Sequence, residues 1–312
     1  MNKESKIYVA GHRGMVGSAI VRKLTELGYT NIITAPKNKL NLLDQSEVDN
    51  FFQKQQPEYV FLAAAKVGGI KANNDYKGDF IYQNLVIQNN VINCSKEYGV
   101  KKLLFLGSSC IYPKMSPQPI KEEYLLTGLL ETTNDAYAIA KIAGIKMCQS
   151  YNQQFGTNFI SVMPTNLYGP NDNYDLNNSH VLPAMIRKFH EAKVENKESV
   201  EIWGTGTPKR EFLYVDDLAD ACIYLMLNYN DSEIVNIGTG QDVTIAELAV
   251  GIKNIVGFEG DIYFNTEMPD GTPRKLLDVS KLKELGWSYK TSLKEGIKKA
   301  YMDFTKNINT HE

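Results

Sequence analysis

Tyr137 and Lys141 stand four residues apart in the run Tyr-Ala-Ile-Ala-Lys, and on a helix that spacing projects both side chains to one face. A phenol with an ordinary pKa of about 10 is a poor proton carrier at neutral pH, but a neighbouring ammonium favours its ionised form. The lysine is therefore expected to bring the tyrosine toward the working range. A second group lies upstream, where the apolar run "KKLLFL" ends on Gly107-Ser108-Ser109-Cys110. Two hydroxyls and a thiol stand where a buried strand could simply have stopped. His180 opens a third stretch, "SHVLPAMIRKFHEA". On residue type alone, Cys110 reads first as packing and His180 first as a helix-start residue with a polar partner.

Such groups need rigid elements behind them. Short apolar runs alternate with amphipathic stretches through the first half of the chain: "KIYVAG", then 14–28; "NIITA", then 44–55; "EYVFLAAA", then 80–98; "KKLLFLGSS", then 135–155; "NFISVMP". Strand alternating with helix predicts an α/β fold with a Rossmann-like, doubly wound parallel sheet. After Pro164 the rhythm gives way to "TNLYGPNDNYDLNNSH", a polar stretch that reads as a long, functional loop. A helix at 180–192, a strand near 200–203, a strand-helix unit "EFLYVDDLADACIYLMLN" and a strand "IVNIG" follow. The helix 215–228 and the strand 234–237 are expected to rejoin the first sheet. Residues 1–165 with about 212–242 would then form a cofactor-binding domain, and 166–211 with 243–312 a smaller C-terminal α/β substrate lobe. A ligand cleft between the two follows.

The first strand runs into Gly11-His12-Arg13-Gly14-Met15-Val16-Gly17, a GxxGxxG pattern opening a helix. Glycines at this junction permit a tight turn and close approach to a diphosphate, while the helix start offers free N–H groups to the anion. NAD-specific sites place an acidic residue near the end of the second strand. Here "ITAPKNKLNLLD" holds no carboxylate before Asp44. Lys37 and Arg13 can instead flank a 2′-phosphate, which favours NADP (NADPH) as cofactor. Lys37 and Lys39 also suit a solvated turn.

The balance of the chain narrows the partners. At 312 residues and a net charge of −2, nothing points to nucleic acid or to a membrane surface, so any anion site must be local. No apolar run is long enough to span a bilayer, and the start lacks a signal-like apolar segment, so a cytoplasmic protein is expected. The four cysteines, Cys94, Cys110, Cys148 and Cys222, show no CxxC pairing. They are expected as free thiols, with no metal site.

Gly11–Gly17, Ser108, Tyr137, Lys141 and "REFLYVDD" at 210–217 together resemble the extended short-chain dehydrogenase/reductases, most of which act on nucleotide sugars. Within that family, "AAAKVGGI", "FLGSSCIYP", "YAIAKIAGIK", "MPTNLYGPNDN" and "PDGTPRKLLDVSKLKELGW" are similar to the NADPH-dependent 3,5-epimerase/4-reductases of GDP-4-keto-6-deoxy-mannose. The resemblance spans essentially the whole chain. It implies that Ser108 and Tyr137 hold the C4 oxygen, that Lys141 tunes Tyr137, and that Cys110 and His180 are the base and acid of the inversions. A thiol near about 8.5 and an imidazole near about 6.5 can exchange protons close to neutrality.

For the cofactor, the resemblance implies Gly11 to Gly17, Lys37, Asn41, Leu42, Leu106, Gly107, Ser109, Lys141, Pro164, Thr165, Asn166, Leu167 and His180. For the GDP-sugar it implies Lys188, Trp203, Arg210 and Asp270, with Arg187 and Lys275 as further cations. A lysine at 188 keeps charge but loses a bidentate fork, which leaves open whether Arg187 or Lys188 meets the diphosphate. A homodimer through helices 80–98 and 135–155 is also implied. The competing readings are a nucleotide-sugar 4-epimerase or 4,6-dehydratase of the same family, and a non-catalytic NADP-binding scaffold.

Overall fold

The computed structural model describes residues 1–176, 178–268 and 270–308. Six strands, β1 (Ile7–Ala10), β2 (Ile32–Ile33), β3 (Tyr59–Leu62), β4 (Lys102–Leu106), β5 (Phe159–Pro164) and β9 (Val235–Ile237), form one parallel sheet in the order β2-β1-β3-β4-β5-β9. Strands β1, β4, β5 and β9 are buried along their whole length, as expected where helices cover both faces of a parallel sheet. Helices α1 (Met15–Glu26) and α7 (Val215–Asn228) cover one face through Ala19, Ile20, Leu218 and Cys222. Helices α2 (Gln45–Gln55), α4 (Lys77–Glu97) and α5 (Asp135–Phe155) cover the other through Phe52, Ile92, Ile145 and Cys148. A short α3 (Ile70–Asp75) precedes α4. The family-like segment 212–237 thus reaches the main sheet through both its helix and its strand.

A third apolar cluster lies outside this sheet. It joins α6 (Val181–Val194), α8 (Ile245–Val256) and α10 (Leu293–Lys306) to a small sheet of β10 (Asp242–Thr244), β8 (Lys209–Tyr214) and β12 (Arg274–Lys275). Strands β7 (Ser199–Trp203) and β11 (Asp261–Asn265) pair in parallel beside it. The segment around α9 (Ser280–Glu284) returns to the main sheet: Leu277 and Val279 pack on one face, Leu282 and Trp287 on the other. Trp287 Nε1 donates to Asp220 at 2.9 Å.

Two stretches differ from the sequence reading. The "NIITA" run keeps only two residues in the ladder, because it lies at the edge of the sheet and pairs with β1 alone. The polar stretch after Pro164 is not loop throughout: β6 (Asn166–Tyr168) pairs with β8, Tyr168 against Tyr214. Tyr168 and Tyr174 are each 1% exposed, and these buried rings anchor a segment whose composition resembles a turn. Among the described residues, no helix is long and apolar enough to cross a membrane.

Helix α5 carries Tyr137 and Lys141 and must lie close on the sheet. Gly144 allows this, since a Cβ there would stand 2.5 Å from the Phe105 ring. Overpacking of this kind costs about 1–3 kcal/mol. Gly144→Ala should lower stability by that amount in urea unfolding, and an unchanged midpoint would show that the helix has room to shift.

Candidate active site

The site gathers at the C-terminal ends of β1, β4 and β5, where an open α/β sheet places ligands. Gly11 adopts φ +84°, and a Cβ on it would stand 2.7 Å from the Ala64 nitrogen. Gly17 seats α1 so closely that a Cβ would approach the Gly11 carbonyl oxygen to 2.1 Å. Gly14 is the N-cap of α1, with no side-chain cap and no acid in the first turn. The first N–H groups of the helix therefore face outward without a side-chain acceptor, which fits a diphosphate.

Met15 and Val16 are half-buried against the sheet, and Arg13 is exposed. His12 is held below its ordinary value by burial and by Arg13. Lys37 is exposed on the turn after β2. The nearest carboxylates are engaged in starting α2: Asp44 accepts from the Glu47 N–H, and Glu47 accepts from the Asn41 N–H at 2.7 Å. Leu42 packs on the core beside them. No acid is left at the tip of β2 to read a ribose hydroxyl, while two cations remain nearby.

Lys141 is buried, and its Nζ donates to the Leu106 carbonyl at 2.8 Å. That carbonyl lies at the end of β4. Gly107 follows in close contact with Met163, and the chain then turns into a short 3₁₀ segment, Ser109–Ile111, capped by Ser108. The Ser108 hydroxyl accepts from the Cys110 N–H at 3.3 Å. Cys110 is 8% exposed and Ser109 3%. Tyr137 lines the same pocket: its ring lies edge-on to Phe80 at 6.3 Å, and the Lys141 ammonium stands 5.7 Å from its centroid. Pro164 ends β5, and beyond it Thr165 and Asn166 donate to the Glu211 carbonyl at 3.3 and 2.8 Å. Leu167 packs against the core.

Electrostatics overturn one expectation. Burial pushes the Tyr137 phenol up, and Cys110 adds to the effect. Burial also pulls the Lys141 ammonium down to about 8. Desolvation dominates both shifts, with Cys110 opposing that of Lys141, and the ammonium is directed at the Leu106 carbonyl. Cys110 is raised by burial, with Lys275, Ser108 and Lys141 opposing the rise. His180, exposed at the mouth of the cleft, is held low by the surrounding protein and by Lys275. Lys275 thus acts on both the thiol and the imidazole.

The remaining expected residues lie on α6 (Arg187, Lys188), on the small sheets (Trp203, Arg210, Lys275) and in the segment between β11 and β12 (Asp270). Lys188 Nζ donates to the Glu201 carbonyl at 3.2 Å and lies 5.7 Å from the Trp203 ring, which is 58% exposed. Arg187 instead pairs with Glu191 at 2.6 Å and donates to the Tyr174 carbonyl. The two cations are therefore not equivalent. Asp270 accepts from the Thr205 N–H and hydroxyl at 2.9 and 2.7 Å. Lys275 is the register partner of Arg210 in the parallel β12–β8 pair, and the absence of a side chain at Gly271 leaves room for the Arg210 guanidinium.

The model of the NAD dependent epimerase/dehydratase family matches residues 7–238. The chain belongs to that family. It is 61% identical to GDP-L-fucose synthase 1 of Arabidopsis thaliana, over 98% of this chain and 95% of that protein. It is 52% identical to the GDP-L-fucose synthase of Escherichia coli, over 98% of both. Among solved structures, a GDP-D-glycero-L-gluco-heptose synthase from Campylobacter jejuni, determined in the presence of NADPH, matches with TM-score 0.92 and 44% identity over 98% of this chain and 99% of that one.

Within this epimerase/dehydratase chain, two contributors were not visible in sequence. Phe80 reads as one more apolar helix residue, and its placement against Tyr137 is a tertiary fact. Glu211 is 0% exposed, and its carboxylate accepts from the N–H groups of Thr239, Gly240 and Leu277 at 2.6, 2.7 and 3.0 Å. An acid inside the apolar "EFLY" strand was the available signal. Lys141 carries a further consequence. Below pH 8 the fold bears the full penalty of a buried charge, and between about 8 and 10.5 the unfolded chain binds more protons, so stability rises with pH there. Lys141→Met should unfold at higher urea than the parent at pH 7, with the gain shrinking from pH 8 upward. A lower midpoint at pH 7 would mean that the bond to Leu106 outweighs desolvation.

Proposed function

We propose that this chain converts GDP-4-keto-6-deoxy-D-mannose to GDP-L-fucose by inversion at C3 and C5 followed by reduction at C4, with NADPH as cofactor. The observation that carries the reading is the convergence of Cys110, Tyr137, Lys141 and the charge of Lys275 in one cleft whose mouth bears His180. The 4-ketone acidifies the hydrogens on both neighbouring carbons, so one carbonyl supports all three events through an enolate. Each event develops negative charge on the same oxygen, which the Ser108 and Tyr137 hydroxyls hold where the charge appears.

Cys110 removes the proton from C3 or C5 and His180 returns one to the opposite face. The thiol starts above its ordinary value, so its own proton first passes to His180 or to solvent, and Lys275 and Lys141 are the cations that stabilise the thiolate so formed. The imidazole, held low, is a ready proton donor once charged. Gly11–Gly17, Arg13 and Lys37 would hold NADPH, which when bound would supply the hydride for C4. Tyr137 then gives its proton to the C4 oxygen, a transfer favoured in direction by Lys141 beneath it. A phenol kept protonated by burial suits that final step.

Lys188, Trp203, Arg210, Asp270 and Lys275 are assigned to the GDP-sugar, with Lys188 rather than Arg187 on the diphosphate, since Arg187 is engaged by Glu191. Residues 1–165 with 212–242 serve the cofactor, and 166–211 with 243–312 serve the sugar. Helices α4 and α5, which expose Tyr82 and Ile139 (65% and 45%), form the contact of a homodimer. Four buried, unpaired thiols suit the cytoplasm.

Purified protein should consume one NADPH per GDP-L-fucose formed from GDP-4-keto-6-deoxy-D-mannose. Absence of consumption, or a bound cofactor that regenerates within each cycle, would sink the reading. Cys110→Ser should lose turnover by about a hundredfold or more while NADPH affinity stays within about twofold, general-base contributions being about 10²–10⁴.

A further inference from the structure

The motif "AAAKVGGI" plays no part in the chemistry above, yet its backbone is fastened by two buried side chains. The segment leaves β3 at Ala63, passes the cofactor loop at Ala64, and is then fastened twice. The Asn84 side chain accepts from the Lys66 N–H and donates to the Lys66 carbonyl, both at 3.0 Å. The Asn73 amide donates to the carbonyls of Gly68 and Gly69 at 2.7 and 3.0 Å. Both asparagines are buried, at 2% and 7% exposure. Buried amides in this arrangement leave the loop one conformation, since either carbonyl released without a partner would be costly.

The far end of this rigid segment touches the strand-free stretch that carries His180. The Gly69 N–H donates to the Asn178 carbonyl at 2.8 Å. A Cβ on Gly69 would stand 2.6 Å from the Ser179 carbonyl oxygen and 3.2 Å from that of Asn178. The φ of Gly69 is −67°, so the backbone conformation suits any residue. Glycine is required here only by the closeness of the two chains. His180 follows Ser179 directly and is the N-cap of α6, without a side-chain capping bond. Nothing in its own helix start therefore fixes where its ring stands.

We infer that Gly69, held by Asn73, is a positioning residue for His180: the contact with 178–179 sets the imidazole at the height from which it returns a proton to the sugar. The inference rests on His180 being the acid of the inversions. The effect of Gly69 reaches the reaction only through the next segment, and it acts on inversion and not on reduction.

That separation gives the test. Wild type, Gly69→Ala and Asn73→Asp are compared in D₂O with NADPH on two substrates: GDP-4-keto-6-deoxy-D-mannose, and the same sugar already inverted at C3 and C5. On the first, Gly69→Ala should form deuterated product about a hundredfold more slowly, the loss expected from a misplacement of about 1 Å. On the inverted sugar, at saturating NADPH, it should oxidise NADPH at a rate within about twofold of wild type. Asn73→Asp, which sets an acceptor against two carbonyls while leaving the Gly69 side open, should show the same split and is read alone if Gly69→Ala does not fold. Equal rates to wild type on both substrates, or equal losses on both, would overturn the inference. Failure of the wild type itself to place deuterium at C3 and C5 would instead overturn the underlying reading of function.

Discussion

The hydrogen bond from Lys141 to the Leu106 carbonyl decides where the chemistry sits. It ties the middle of α5 to the last residue of β4, and every other group in the cleft is placed relative to that junction. Tyr137 stands one turn earlier on the same helix, and Ser108 and Cys110 follow the same strand by two and four residues. Gly144, one turn later, lets the helix settle onto Phe105. The bond positions more than it stabilises, because it requires an ammonium out of water, and that desolvation is what brings Lys141 down to about 8. Strain of this kind, tolerated at a site and offset by the surrounding core, is characteristic of functional positions.

The same burial governs the other ionisable groups. A thiol and a phenol raised together, and an imidazole lowered, all follow from removal of water around the charged form. Lys275 is the balancing charge, acting on both Cys110 and His180 from the small sheet. Its strand is paired with the one that carries Arg210, and the neighbouring Glu211 binds Leu277 and the turn after β9. The small sheet and the edge of the main sheet are thereby joined through a buried carboxylate.

Much of this was legible in the amino-acid order where function depends on local spacing. The glycine triplet, the Tyr137–Lys141 interval and the hydroxyls at the end of a strand each announce themselves within a few residues. The alternation of strand and helix likewise predicts the parallel sheet. What escaped depends on contacts between distant segments. The direction of the Tyr137 shift follows from how deeply the helix is buried, which no interval of four reports. Likewise, the different surroundings of Arg187 and Lys188 come from Glu191 and Trp203, and the pairing of β6 is accompanied by a buried tyrosine. The return of Leu277 and Trp287 to the main sheet is a matter of topology. Gly69 was visible as a glycine, but its neighbour lies 109 positions away.

The central claim is that one carbonyl, held at one place, serves two inversions and one reduction. The isotope map of a single product tests it most directly. Wild-type enzyme working in D₂O with unlabelled NADPH should yield GDP-L-fucose carrying solvent deuterium at C3 and C5 and protium at C4, as read by NMR. Deuterium at C4, or protium retained at either neighbour, would contradict the account.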